Sequence, residues 1–290
     1  MGEFFDDVDA MRREVKNNKR VLAQRHIGSI AATLFYEPST RTRLSFASAA
    51  ERLGMRTIAT ENAAEFSSAV KGESLEDSIR AVGKYSDVII LRHADDDAAQ
   101  RAASVSEVPV VNAGSGKNEH PTQSLLDLYT IYSQKGRLDN LNIVIGGDLK
   151  HGRTARSLAR LAALYSGNNI TFVSTPDLQM ENDTLEYLEE RGMPYKETGD
   201  MDISLCGADV VYWTRLQRER FASHNFTSDF SIGLKQLKIL SDDAIVLHPL
   251  PRNEELQREV DSDPRAQYFK QVENGLYVRM VLLDRAAGKN

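Results

Sequence analysis

Apolar positions along the chain follow two spacings, one of short unbroken runs and one of helical stripes. Ile30 to Tyr36 is a short apolar run that stops at Pro38. Beyond it Leu44, Phe46, Ala49, Ala50 and Leu53 recur at helical spacing until Gly54. This predicts a buried strand running through a tight turn into a helix whose first turn holds Ser39 to Thr42. Upstream, Phe4 to Val15 predicts an amphipathic helix, followed by a basic link from Lys16 to Arg25. Downstream the pattern predicts a strand over Arg56 to Thr60, a helix over Leu75 to Tyr85, a strand over Asp87 to Arg92, a helix over Asp96 to Ser104 and a strand over Val108 to Asn112. The run Val88-Ile89-Ile90-Leu91 fits a central strand covered on both faces. Glu61 to Gly72, weakly periodic and rich in small residues, reads as a mobile loop.

After the polar loop Gly114 to Pro121, a helix from Thr122 with Leu125, Leu126, Leu128 and Ile131 as its buried positions runs to about Gly136, and the alternation begins again. Strands are predicted at Leu141 to Gly146, Ile170 to Ser174, Val210 to Thr214 and Ala244 to Leu247, with helices at Arg153 to Tyr165 and Leu185 to Arg191 and a closing helix over Leu276 to Ala287. Alternating strand and helix means parallel sheets. The expected fold class is α/β with two lobes, each a mainly parallel sheet flanked by helices. The expected division is 1–130 plus 275–290 for the first lobe and 131–274 for the second.

Charge and cysteine content narrow the function classes. The 36 basic against 42 acidic side chains leave a net charge of −6, and the basic ones are dispersed, which argues against a nucleic-acid surface. The single cysteine, Cys206, excludes an intramolecular disulfide and a cysteine-built zinc site within one chain, consistent with a reducing compartment. No apolar run approaches membrane-spanning length, and the acidic N-terminus resembles neither a signal nor a transit peptide. A cytoplasmic protein is expected.

The candidate chemistry sits where strands end. A helix start carries unpaired backbone N–H groups and partial positive charge, so it attracts anions, phosphate above all. Ser39, Thr40 and Thr42 add hydroxyl donors there, and Arg41 or Arg43 can make bidentate contacts that lysine cannot. Arg92-His93 closes another predicted strand. Asp148 to Thr154, Arg215-Leu216-Gln217 and His248 to Arg252 follow three more, where α/β sheets place ligands. No Gly-rich loop ending in Gly-Lys-Ser/Thr is present, which disfavours a P-loop nucleotide site, and no Gly-x-Gly-x-x-Gly follows a strand, which disfavours a nicotinamide dehydrogenase.

Six segments in order, Phe35 to Arg43, Lys71-Gly72-Glu73, His120-Pro121-Thr122-Gln123, Gly147 to Thr154, Arg215-Leu216-Gln217 and His248-Pro249-Leu250-Pro251, closely resemble the catalytic chains of the aspartate carbamoyltransferase family. The resemblance implies transfer of the carbamoyl group of carbamoyl phosphate to the α-amine of L-aspartate, without metal or cofactor. It implies that Ser39, Thr40, Arg41, Thr42 and Arg92 hold the phosphate. Thr42, Arg92 and His120 then reach the carbonyl oxygen, and Gln123 with the carbonyls of Pro249 and Leu250 meets the carbamoyl nitrogen. Pro249 and Pro251 suit such a turn because each fixes φ. Arg153, Arg215 and Gln217 are implied as aspartate contacts, and no protein general base stands out, so phosphate itself is expected to take the amine proton.

The family further implies a homotrimer in which Ser67 and Lys71 reach the neighbouring subunit's site, with a regulatory chain or multienzyme assembly as possible partners. Three departures stand beside the likeness: the N-terminus looks shortened, Val70 replaces a second lysine, and Leu216 to Asp229 is individual. Duller roles are available to single residues. Arg43 can brace the turn through a carboxylate such as Glu37, His120 can cap the helix from Thr122, and His248 reads as structural. A related carbamoyltransferase with another acceptor, such as ornithine, and a non-catalytic scaffold are the alternatives. Arg215-Leu216-Gln217 and His248-Pro249-Leu250-Pro251 favour aspartate, and an intact phosphate turn disfavours the scaffold.

Overall fold

The structure, a computed structural model, describes residues 1–60, 63, 71–116, 120–216 and 230–288. Backbone contacts divide the chain into two units, Met1–Thr122 with Glu273–Asn290, and Gln123–Val272.

In the first unit, strands β1 (Ile30–Phe35), β2 (Arg56–Thr60), β3 (Val88–His93) and β4 (Val110–Ser115) form one parallel sheet in the order β2-β1-β3-β4. The inner strands are the apolar ones. Val88 to Leu91 are fully buried, and Ile89 and Leu91 pack with Ala32, Leu34, Ile79 and Ala98 from β1 and two covering helices. Each leucine or isoleucine among them contributes about 1.5–3 kcal/mol on burial. Strand β2 lies at the edge, paired on one side only, and leaves Arg56, Ile58 and Ala59 exposed. The Gly2–Asn17 helix buries Phe5, Val8, Met11 and Val15 at three- and four-residue spacing, and Asp7 pairs with Arg285 of the closing helix at 2.6 Å.

Strand β4 reaches Ser115, three residues beyond the predicted Asn112, because Ala113, Gly114 and Ser115 are small enough to continue beside β3. The predicted loop over Glu61 to Gly72 falls almost wholly outside the described residues.

The second unit carries β5 (Asn142–Gly146), β6 (Asn169–Val173), β7 (Tyr195–Thr198), β8 (Val210–Trp213) and β9 (Ile245–Leu247), again all parallel, in the order β7-β6-β5-β8-β9. Its core joins Val144, Val173, Val211 and Trp213 of the sheet to Ile232, Leu256 and Tyr268. Sequence pattern had not disclosed β7. Tyr-Lys-Glu-Thr is a half-exposed edge strand with no apolar run to mark it. The closing helix begins at Tyr268 instead of Leu276, since Tyr268 and Gln271 are buried in its first turn. The α/β class with two parallel sheets is as the pattern predicted.

Candidate active site

An open parallel sheet binds ligands at the carboxyl ends of its strands, at the point where the strand order reverses. The first sheet reverses between β1 and β3, because the chain passes from β1 outward to β2 and then returns to β3 on the other side. There Phe35 is the register partner of Arg92, and the Tyr36 N–H donates to the Arg92 carbonyl at 2.8 Å. The chain then turns through Pro38 into the Thr40–Arg52 helix, with Ser39 extended at its N-cap and its hydroxyl making no cap bond. Thr40 and Arg41 are exposed, Ser39 is half-buried and Thr42 is buried.

Arg92 is held at the same reversal point, 7% exposed, with Glu37 3.4 Å from its guanidinium. His120, 6% exposed, stands at the head of the Pro121–Lys135 helix. Gly114 explains how these two side chains share one place. Its φ is +128°, and a Cβ there would lie 3.1 Å from Arg92 Nη1 and 3.8 Å from His120 Cδ2. The first unit therefore gathers hydroxyls, a helix start, two arginines and a histidine at one reversal of strand order. Beside them, burial lowers the His93 pKa below its ordinary value and raises that of Tyr36, whose ring lies 4.7 Å from the His93 ring.

The second sheet reverses between β5 and β8. Gly147-Asp148 follows β5, Thr214-Arg215 follows β8, and the two segments touch: a Cβ on Gly147, at φ +102°, would sit 2.2 Å from the Thr214 carbonyl oxygen. Asp148 is fully buried and closes its turn by accepting from the His151 backbone N–H at 3.0 Å, with the His151 ring also at 3.0 Å. That turn delivers Arg153 to the start of the Arg153–Ala162 helix, half-buried like Arg215. Both guanidinium groups thus belong to segments at one reversal point. Gln217 lies outside the described residues, as does Ser67, and Lys71 is exposed.

The His248-Pro249-Leu250-Pro251 turn follows β9. Leu250 has a φ of +50°, held because its N–H donates to His248 Nδ1 at 2.9 Å. That bond leaves the ring proton on Nε2, which donates to Glu255 Oε1 at 3.1 Å. Burial opposes the Glu255 charge, but the bonds from His248 and the Asn253 N–H outweigh it and lower the pKa. His248 is fully committed within the turn, the structural role its sequence context suggested. Gln123 donates from Nε2 to Asp127 Oδ1 at 2.8 Å. Asp127, fully buried, also accepts from Gln271 Nε2 at 2.6 Å and from the Tyr212 hydroxyl at 2.8 Å. Burial first and Asp127 second push the Tyr212 pKa well above its ordinary value, while a hydrogen bond with Thr154 opposes them. Sequence reading missed Asp127, Tyr212 and Gln271. The available signal was a lone acidic residue one turn after Gln123, between Leu126 and Leu128.

Among the described residues no three His, Cys, Asp or Glu side chains are grouped to hold a metal. The chemistry on offer is anion binding and hydrogen-bond donation.

The family model described as aspartate/ornithine carbamoyltransferase, carbamoyl-P binding domain, matches residues 1–133, and the one described as Asp/Orn binding domain matches residues 139–285. The chain belongs to the aspartate/ornithine carbamoyltransferase family. Within it the chain is 46% identical over 288 residues to the chloroplastic aspartate carbamoyltransferase of Arabidopsis thaliana, covering 97% of this chain and 74% of that relative. The catalytic subunit of M. jannaschii aspartate transcarbamoylase superposes with a TM-score of 0.92 at 42% identity, covering 99% of this chain and 94% of that one. Aspartate transcarbamoylase from Trypanosoma cruzi in complex with N-(phosphonacetyl)-L-aspartic acid superposes with a TM-score of 0.90 at 38% identity, covering 97% and 90%.

Proposed function

We propose that the residues gathered at the two reversal points serve one reaction, transfer of the carbamoyl group of carbamoyl phosphate to the α-amine of L-aspartate. The products are N-carbamoyl-L-aspartate and phosphate. The amine nitrogen forms a bond to the carbonyl carbon, the bond from that carbon to the phosphate oxygen breaks, and phosphate leaves with the electron pair. Negative charge builds on the carbonyl oxygen and then on the bridging oxygen, and preorganised donors lower that barrier.

In this reading Ser39, Thr40, Arg41 and Thr42 hold the phosphate with Arg92, and Thr42, Arg92 and His120 face the carbonyl oxygen. Gln123 and the carbonyls of Pro249 and Leu250 take the carbamoyl nitrogen. Aspartate brings two carboxylates, which Arg153 and Arg215 match by charge, with Gln217 as a further contact. The same two guanidinium groups would repel the cationic side chain of ornithine. Departing phosphate takes the proton of the attacking amine.

The observation that carries the reading is the coincidence of motif and topology. The segment that resembles the phosphate motif follows β1, beside Arg92 at the end of β3, and the segments that resemble the acceptor motifs follow β5 and β8, each pair at its own sheet's reversal point. A relative that holds a phosphonate joined to aspartate supports the pairing of these two substrates.

The reading extends to a cytoplasmic homotrimer with Ser67 and Lys71 contributed to the neighbouring subunit. Leu44 at 53% and Ile58 at 39% exposure leave apolar surface on the first unit, which supports burial against another copy. The M. jannaschii neighbour is called a catalytic subunit, which supports a partner chain. The test is incubation of purified protein and carbamoyl phosphate with L-aspartate and, in parallel, L-ornithine, scoring the ureido product. Product from aspartate alone is expected. Product from ornithine alone would overturn the acceptor, and product from neither would overturn the reaction.

A further inference from the structure

A chain of hydrogen bonds starting at Asp127 connects features that the reaction uses separately. The Asp127 carboxylate is fully buried in the second unit, one helical turn from Gln123. Its Oδ1 receives the Gln123 and Gln271 amides at 2.8 and 2.6 Å, and its Oδ2 receives the Tyr212 hydroxyl at 2.8 Å. Gln271 passes the connection on, because its Oε1 accepts the His248 backbone N–H at 3.0 Å. His248 in turn accepts the Leu250 N–H.

Two amide NH₂ groups converge on Oδ1, so that oxygen acts as an acceptor only. An amide facing such an acceptor must turn its NH₂ toward it. The Gln123 Oε1 is then the atom presented on the opposite side of that amide. Through Gln271 and His248 the same carboxylate steadies the turn whose carbonyls, at Pro249 and Leu250, are acceptors as well. Every group assigned to the carbamoyl nitrogen is therefore set as an acceptor, the state that a –NH₂ donor requires.

We propose that Asp127 is the positioning residue that makes this chain select a carbamoyl donor over an acyl phosphate lacking the NH₂ group. The inference rests on the reaction proposed above. Acetyl phosphate is the discriminating probe: it replaces NH₂ by CH₃ and leaves the phosphate unchanged. The same bond changes occur with it, nitrogen bonding to the carbonyl carbon as the carbon to phosphate-oxygen bond breaks, giving N-acetylaspartate. With acetyl phosphate the acceptors of Gln123 and the turn face a methyl group, and buried acceptors left unmatched are costly.

Asp127→Asn keeps the shape but can face Gln123 with its own NH₂, which turns the Gln123 amide round and presents a donor to a donor. The reading is the ratio of kcat/KM for carbamoyl phosphate to that for acetyl phosphate, with aspartate saturating. We expect the ratio to fall about 10- to 100-fold, with inhibition by inorganic phosphate unchanged. Gln123→Met should lower the ratio similarly, and the double variant should lower it no further than either single one. A ratio unchanged in a folded Asp127→Asn, or losses that multiply in the double variant, would overturn the inference.

Should Asp127→Asn not fold, Gln271→Leu decides, since it leaves the Gln123 to Asp127 bond and releases only the turn. A lowered ratio supports the proposal, and an unchanged one overturns the part of it that runs through the turn. Wild-type protein that makes no ureido product from carbamoyl phosphate and aspartate would instead refute the underlying reaction, independently of these ratios.

Discussion

Arg92 lies opposite Phe35 in the parallel register of β1 and β3, which puts a buried guanidinium beside the strand that leads into Ser39 and the Thr40–Arg52 helix. The two segments are far apart in sequence, and one register pair brings them to the same reversal of strand order. Its consequence is a division of labour. Arg92 is held in the sheet, whereas Arg41 stands exposed on the helix.

Arg41→Ala should therefore change activity and leave the fold alone. An exposed side chain removed from a helix surface costs within about 0.5 kcal/mol. Loss of a preorganised donor to developing negative charge costs about 10²–10³ in kcat. Steady-state kinetics alongside urea unfolding checks both halves, and a variant with near-normal turnover would refute the role of that turn.

Gly147→Ala tests the acceptor side. A Cβ at φ +102° and 2.2 Å from the Thr214 carbonyl oxygen cannot be placed without parting the segments that carry Arg153 and Arg215. The backbone conformation alone costs about 1–3 kcal/mol. Unfolding measurements should show at least that loss, and the KM for aspartate should rise roughly ten-fold, as 1.4 kcal/mol of lost binding implies. Carbamoyl phosphate affinity, measured by binding without aspartate, should hold.

His93 should make stability depend on mild acid. Burial comes first in lowering its pKa below the ordinary histidine value, Arg101 adds to that, and Asp95, Glu37 and Asp97 oppose it. Its Nδ1 accepts the Asp95 N–H at 3.0 Å, a bond that the protonated ring cannot make. Because the folded pKa is the lower one, the unfolded chain binds the proton first, and stability falls as pH drops below about 6.5 until the folded-state pKa is passed. Urea midpoints between pH 7.5 and 5 should decline less for His93→Gln than for wild type; parallel declines would exclude this histidine.

Shared sites, if the trimer forms as proposed, predict complementation. Lys71→Ala and His120→Ala chains should each be inactive alone, and should regain activity when unfolded together and refolded as mixed trimers. No activity in mixed trimers verified by mass spectrometry would reject sharing.

Much of this molecule was legible in its sequence because the signals are local. Apolar runs at Ile30 to Tyr36 and Val88 to Leu91 mark buried parallel strands, and Pro38 followed by three hydroxyls and two arginines marks a helix start built for an anion. The duller role for His248 was also legible, from its place in a proline turn. Strand β7 was not legible, since an edge strand needs no apolar face to be held by its neighbour's backbone.

What the sequence by itself determined is the inventory: the α/β alternation, the ordered motifs and residue types suited to a phosphate and to a dicarboxylate. Only tertiary structure decided which of them meet. The strand orders β2-β1-β3-β4 and β7-β6-β5-β8-β9 place the segments after β1, β5 and β8 at two reversal points, and no local pattern encodes strand order. Asp127 shows the same limit at one atom's scale. It was visible as a lone acidic residue between two leucines, but its partners Tyr212 and Gln271 are 85 and 144 residues away in the chain. Long-range packing alone brings those donors to it, because a buried carboxylate must collect hydrogen bonds from wherever the fold supplies them.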